Sequence, residues 1–227
     1  SIHLKASILI PTYGSRLQYL RDELDCLQAL NYPAQDFEII VIDNGPGEDV
    51  AKIADEYNRN GKHAVRCIKE TKPGLGEARH AGARAAQGEI LVYLDDDVLL
   101  PTDWLQWTLK PYEDPRVGST GGKVVLKMEV EPPKWFSHFN PVSLSALDFG
   151  DKTLELKFPH APWGCNMSVR KDVLYAVGGF NPDFFYFILA ESVFPTATIP
   201  SSPSRVFTAM LLTISSIFFF FFSLFFV

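Results

Sequence analysis

GEILVYLDDDVLLP, residues 88–101, runs an apolar, β-prone stretch into three adjacent carboxylates, Asp95, Asp96 and Asp97, and then turns apolar again. Neighbouring carboxylates repel, and placing them beside a core is costly unless they are paired or bound to metal. A solvated cap on the next helix is the plain reading of such a cluster. The apolar flanks instead put it at the end of a buried strand, where hard oxygen ligands suit Mg2+ or Mn2+.

Upstream, buried strands alternate with amphipathic helices. ASILIP (6–11) and FEIIVID (37–43) are short, nearly continuous apolar runs that suit parallel strands covered on both faces, and HAVRCIKE (63–70) is a third candidate. Between the first two, Leu17, Leu20, Leu24, Leu27 and Leu30 keep helical spacing, with Ser15 and Gln18 placed as a capping box and Pro33 as a stop. Val50, Ile53, Ala54 and Tyr57 share one face of a second helix that Gly61 closes. An Ala-rich helix over about residues 77–87 precedes the aspartate strand. This order implies an α/β fold: a Rossmann-like, mainly parallel sheet flanked by helices. Ligands of such sheets lie beyond the carboxyl ends of the strands, where Thr12 and Tyr13, Asp43 and the three aspartates all fall.

Past Pro101 the alternation loosens into an irregular region. RVGSTGGKVVLKMEV (116–130) reads as one strand with a Gly-rich lead-in, residues 131–151 as a long Pro- and aromatic-bearing loop, and GCNMSVRKDVLYAVGGF (164–180) as a short strand followed by a helix from Lys171 that Gly178 and Gly179 close. Trp135 and Trp163, both in loops, are the tryptophans to consider as sugar platforms. Of the histidines, only His80 falls near the strand ends.

Composition narrows the function further. A net charge of −6 without a basic stripe argues against a general nucleic-acid binder. Cys26, Cys67 and Cys165 lie far apart, so neither a zinc site nor a disulfide framework is indicated, and a reducing compartment fits best. GLGEAR (74–79) places Arg79 where a dinucleotide fingerprint needs its third Gly, and GGK (121–123) lacks the rest of a P-loop. Lys72 and Arg79 remain suited to neutralising a diphosphate near a helix N-terminus.

Taken in order, SILIPTYGSRLQYL, FEIIVIDNG, GLGEARHAGARAAQGEILVYLDDDVLLP and GCNMSVRKDVLYAVGGFNPDF resemble the family 2 glycosyltransferases of GT-A fold, over about residues 5–185. The resemblance implies metal-dependent, inverting transfer of a sugar from a nucleoside diphosphate, UDP favoured, to a glycan or lipid hydroxyl. Pro11, Thr12 and Tyr13 would line the nucleotide pocket, Asp43 would accept a hydrogen bond from the base, and Lys72 or Arg79 would face the diphosphate. Asp95 or Asp96 would bind ribose or metal-bound water. Asp97, with Asp95, would hold Mn2+ or Mg2+. Trp163, Gly164, Asn166, Gly178 and Gly179 would lie on the acceptor side. The family's catalytic base follows the GGF segment in an acidic element, with Q-x-x-R-W further on. Here only Asp183 and Glu191 are candidates, and no Q-x-x-R-W is present. A nucleotide-sugar-binding protein without turnover is the alternative.

The last stretch has a different character. Twelve of the 18 Phe lie in residues 184–227, with only Glu191 and Arg205 charged. The expected organisation is a glycosyltransferase domain at 1–185 with an incomplete C-terminal part, a Pro/Ser-rich linker at 186–205, and an apolar tail at 206–227. That tail is either a transmembrane anchor, holding a cytoplasmic enzyme to the cytoplasmic face of a membrane, or non-native sequence.

Overall fold

The computed structural model describes residues 4–129, 131, 134, 146–150, 153–156 and 162–180, and the backbone of 197–199 and 207–212. Four strands form the parallel heart of the main sheet: β1 (Ala6–Thr12), β2 (Phe37–Asp43), β3 (Val65–Lys69) and β4 (Ile90–Leu94), in the order β3-β2-β1-β4. Parallel neighbours need crossover connections. These are α1 (Leu17–Gln28), α2 (Asp49–Asn60) and α3 (Leu75–Ala85).

After β4 come β5 (Val98–Leu99) and α4 (Trp104–Leu109), then β6 (Ser119–Gly121), β7 (Lys123–Met128), β8 (Leu154–Leu156), β9 (Asn166–Arg170) and α5 (Lys171–Ala176). β9 lies antiparallel between β4 and β6, giving a mixed, mainly parallel six-stranded body. β10 (Ala197–Ile199) extends it beside β6, with β8 at the edge, while β11 (Phe207–Leu212) pairs with β5 and β7 in a separate three-stranded sheet.

Strand pleating explains why the core strands read as unbroken apolar runs. Ile8, Ile10, Ile39, Val41, Val92 and Leu94 face α1 and α4, in one cluster with Leu20, Leu24, Leu27 and Trp104. Their neighbours Leu9, Ile40, Ile42, Leu91 and Tyr93 face the other way, onto Ala78, Ala81, Ala83 and Leu174 of α3 and α5. Each large side chain buried in this way contributes about 1.5–3 kcal/mol. The small residues of α3 let it lie close: a Cβ on Gly82 would stand 3.0 Å from Ile42 Cδ1.

Three local expectations change. The Ser15 and Gln18 capping box does not form: α1 starts after Arg16 with no side-chain cap, and Gln18 donates to Asp22 instead. The segment expected as one strand over 116–130 is two strands in different sheets, broken at Gly122, where any Cβ would overlap the Asn166 amide. The Ala-rich helix starts at Leu75, two residues early, behind Gly74 in a positive-φ conformation.

Among the described residues no helix is long and apolar enough to cross a membrane. Residues 213–227, most of the expected apolar tail, lie outside the described residues, as do most of the 186–205 linker, Trp135, Asp183 and Glu191.

Candidate functional site

The three aspartates begin where β4 ends, Asp95 directly after the strand and Asp96 and Asp97 in the turn that leads to β5. Asp95 continues the side of Leu91 and Tyr93, toward α3, where Arg79 Nη2 stands 3.7 Å from its Oδ1. Asp96 and Asp97 meet Arg16, in the connection from β1 to α1: Arg16 Nη2 donates to Asp96 Oδ1 at 2.9 Å and Nη1 to Asp97 Oδ2 at 2.5 Å. Thr12, at the end of β1, donates to Asp96 Oδ2 at 2.6 Å, and its hydroxyl accepts from the Gly14 amide. The cluster is therefore held by two guanidiniums and one hydroxyl, each from a different strand end or crossover.

Burial is uneven across it. Asp97 is fully covered, and its Oδ1 has no hydrogen-bond partner among the described residues. Burial pushes its carboxyl up to about 7 against the opposing pull of Arg16. Asp95 is also raised, first by burial and against the pull of Arg79. Behind the cluster, on α1, lies a residue that the sequence reading did not single out. Glu23 is completely buried, neither of its oxygens has a partner among the described residues, and burial, reinforced by the aspartates, holds it protonated well above its ordinary 4.5.

Arg79 is fixed from several sides. Its guanidinium packs 5.7 Å from the Phe180 ring, and Gly164 leaves it room, because a Cβ there would overlap Nη2. Phe180 is set in turn by its amide, which donates to His80 Nε2 at 2.8 Å, and by edge-on packing against Tyr93. Gly179, just before it, has φ +85° and lies against the same imidazole. Gly178 and Gly179 also satisfy the end of α5 through Tyr175 O and Leu174 O. Burial lowers the His80 pKa, in keeping with a neutral ring whose Nε2 accepts.

The remaining expected residues divide into two groups. Tyr13, just past the end of β1, is 62% exposed, while Gly45 presses on its backbone so closely that a Cβ would overlap the Tyr13 carbonyl. Pro11, within β1, is buried. Asp43 is at the end of β2, but both oxygens serve the fold: Oδ1 accepts from the Gly45 amide, and Oδ2 from Lys69, which also reaches Gly45 O and Gly47 O. Lys72 is exposed and pairs with Glu77 of α3. Arg84 pairs with Glu70 on the surface. Asn166 is buried and accepts from Trp104 Nε1 at 3.1 Å, which makes it a joint between α4 and β9. Trp163 is half-buried against the core.

Divalent cations take one or two carboxylates and complete their shell with substrate phosphates and water. The described residues contain no group of three or more His, Cys, Asp or Glu side chains placed to hold a metal. Asp97, with a buried oxygen lacking a partner, and Asp95, a third exposed, nonetheless fit that smaller requirement.

The chain is 24% identical over 182 residues to the glucosyl-dolichyl phosphate glucuronosyltransferase of Haloferax volcanii, which covers 78% of this chain and 56% of that one. In fold it is similar to S. aureus TarS in complex with UDP-GlcNAc (TM-score 0.69, 17% identity, 92% of this chain and 59% of the other). It is also similar to the mannosyltransferase PcManGT from Pyrobaculum calidifontis in complex with GDP-Man and Mn2+ (TM-score 0.60, 21% identity, 90% and 59%). The chain thus spans little more than half the length of each of these proteins. The profile described as glycosyl transferase family 2 matches residues 7–178, three-quarters of the chain and every element that builds the cluster, and the chain belongs to that family.

Proposed function

We propose that the chain binds a nucleoside-diphosphate sugar at the carboxyl ends of β1, β2 and β4 and transfers the sugar to an acceptor hydroxyl with inversion. The observation that carries this reading is the convergence of Thr12, Arg16, Arg79 and the three aspartates from separate crossovers onto one strand end. In this reading Tyr13, exposed just past the end of β1, offers its ring to the base. Asp43 and Lys69 hold the turn that walls the base end. Arg79, fixed by Gly164 and Phe180, neutralises the diphosphate.

Asp97, with Asp95, would hold Mn2+ or Mg2+, as the Mn2+ in the PcManGT complex suggests. Bound there, the cation would supply Lewis-acid stabilisation of the departing nucleoside diphosphate. The acceptor oxygen forms the new bond to the anomeric carbon as the bond to the diphosphate breaks on the opposite face, and a carboxylate takes the hydroxyl proton. Asp183 and Glu191 are the candidates for that base. The S. aureus protein in complex with UDP-GlcNAc favours a UDP-sugar donor, and the dolichyl phosphate named in the Haloferax relative favours a lipid-linked or glycan acceptor.

Thermal unfolding with UDP, GDP or TDP, each with and without Mn2+, tests the donor site. A ligand at ~100 times its Kd adds about 2.7 kcal/mol of stability. A metal-dependent shift that Asp97→Ala abolishes is the expected result. A folded chain that none of the three nucleotides stabilises would overturn the assignment. Turnover is read separately, as release of the nucleoside diphosphate in the presence of an acceptor.

A further inference from the structure

We propose that Arg16 is a resident counter-ion that covers Asp97 and holds one of its two oxygens, and that a donor diphosphate frees that carboxylate for a divalent cation by taking the guanidinium for itself. This deepens the reading of the cluster as the cation site and rests on it.

The geometry makes Arg16 an occupant and not a bystander. Asp96 and Asp97 offer four carboxylate oxygens. Arg16 holds one on each residue, Thr12 holds the second of Asp96, and only Asp97 Oδ1, buried, is left without a partner. Asp97 is itself inaccessible, whereas the Arg16 side chain is 31% exposed. A cation coming from solvent therefore meets like charge before it meets Asp97 Oδ2. Coordination through that oxygen requires the guanidinium to leave.

Arg16 has both the means and a reason to leave. It stands at the non-helical N-cap of α1, two residues after Gly14 at φ +75°, outside the helix proper. Its planar fork pairs with phosphate oxygens as readily as with carboxylates. A diphosphate arriving with a divalent cation supplies both replacements at once, an anion for Arg16 and a cation for the aspartates. Without nucleotide, a cation must displace a guanidinium that has no other anion to take, and the exchange loses its two charge-assisted hydrogen bonds. Metal and donor binding are thereby coupled, and coupling is reciprocal.

The test is titration of Mn2+ into the full 227-residue chain, followed by loss of the free-ion EPR signal, with and without UDP or GDP. The variants are Arg16→Gln, Arg16→Lys and Asp97→Asn. The unsubstituted chain should bind Mn2+ weakly until nucleotide is added. Arg16→Gln should bind Mn2+ alone about tenfold more tightly or better, the scale of one charge-assisted bond, and nucleotide should then tighten it little further. Arg16→Lys keeps the charge but cannot bridge both carboxylates, so it should fall between the two and guards against misfolding of the Gln variant. Arg16 variants that bind Mn2+ no more tightly than the parent, while Asp97→Asn loses it, would overturn the counter-ion proposal alone. Retention of Mn2+ and nucleotide binding in Asp97→Asn would overturn the cation-site reading and this proposal with it.

Discussion

The hydroxyl of Thr12 bridges the ends of β1 and β4, donating to Asp96 Oδ2 at 2.6 Å while accepting from the Gly14 amide at 3.0 Å. One side chain thus ties a carboxylate of the cluster to the turn that launches α1. Thr12→Val keeps the shape and removes both bonds, leaving a buried carboxylate oxygen and a backbone amide to find other partners. The expected cost is about 1–3 kcal/mol in urea unfolding. Thr12→Ser should retain most of the parent's stability.

Gly164 is the room in which the Arg79 guanidinium sits. Gly164→Ala should displace that guanidinium, because a methyl overlaps Nη2, and should weaken nucleoside diphosphate binding by about tenfold, the scale of one charge-assisted contact. Isothermal titration of the nucleotide checks this, and circular dichroism confirms that the sheet is retained.

His80 accepts the Phe180 amide only as a neutral ring. Burial lowers its folded pKa below the ordinary 6.5, so its contribution is fully present above pH 6.5 and is lost as pH falls through the lower folded value. His80→Ala should cost about 1–3 kcal/mol at pH 8, with the gap from the parent narrowing as the pH is taken below 6. Unfolding curves across that range give the comparison.

Glu23 behaves in the opposite sense. Its folded pKa is raised well above 4.5, chiefly by burial, so the unfolded chain ionises first as pH rises. The parent therefore loses stability above pH 4.5, by up to about 1.4 kcal/mol per pH unit, until the folded pKa is passed. Glu23→Met should remove this slope and be more stable than the parent at pH 8. A variant less stable than the parent at pH 8 would show that Glu23 has a partner the fold depends on.

Much of this was legible from particular residues. ASILIP and FEIIVID read as covered strands because their alternate residues serve two cores, and the aspartates could be placed because their strand ended where those strands ended. Glu23 was missed although the period contained it: it follows Leu20 by three and precedes Leu27 by four, inside the apolar stripe, and its charge disguised it. Arg16 reads in sequence as an ordinary charge before a helix, since the Asp96 and Asp97 it meets lie about eighty positions away. Asp43 was placed at the end of its strand, but the partners that occupy the side chains of Asp43 and Asn166, Lys69 and Trp104, are set by packing across the sheet. β5, two residues long, carries too little pattern to be seen.

Asp95 meets Arg79 of α3 and the turn after it meets Arg16 ahead of α1, so each guanidinium reaches the triplet along its own crossover. The two handles can be re-engineered separately: exchanging the 13–17 connection with that of another family member would retune how the site takes up ions while leaving the diphosphate clamp alone. A single-residue deletion within β4 has no such modularity, because it shifts the whole triplet by one place against both guanidiniums at once.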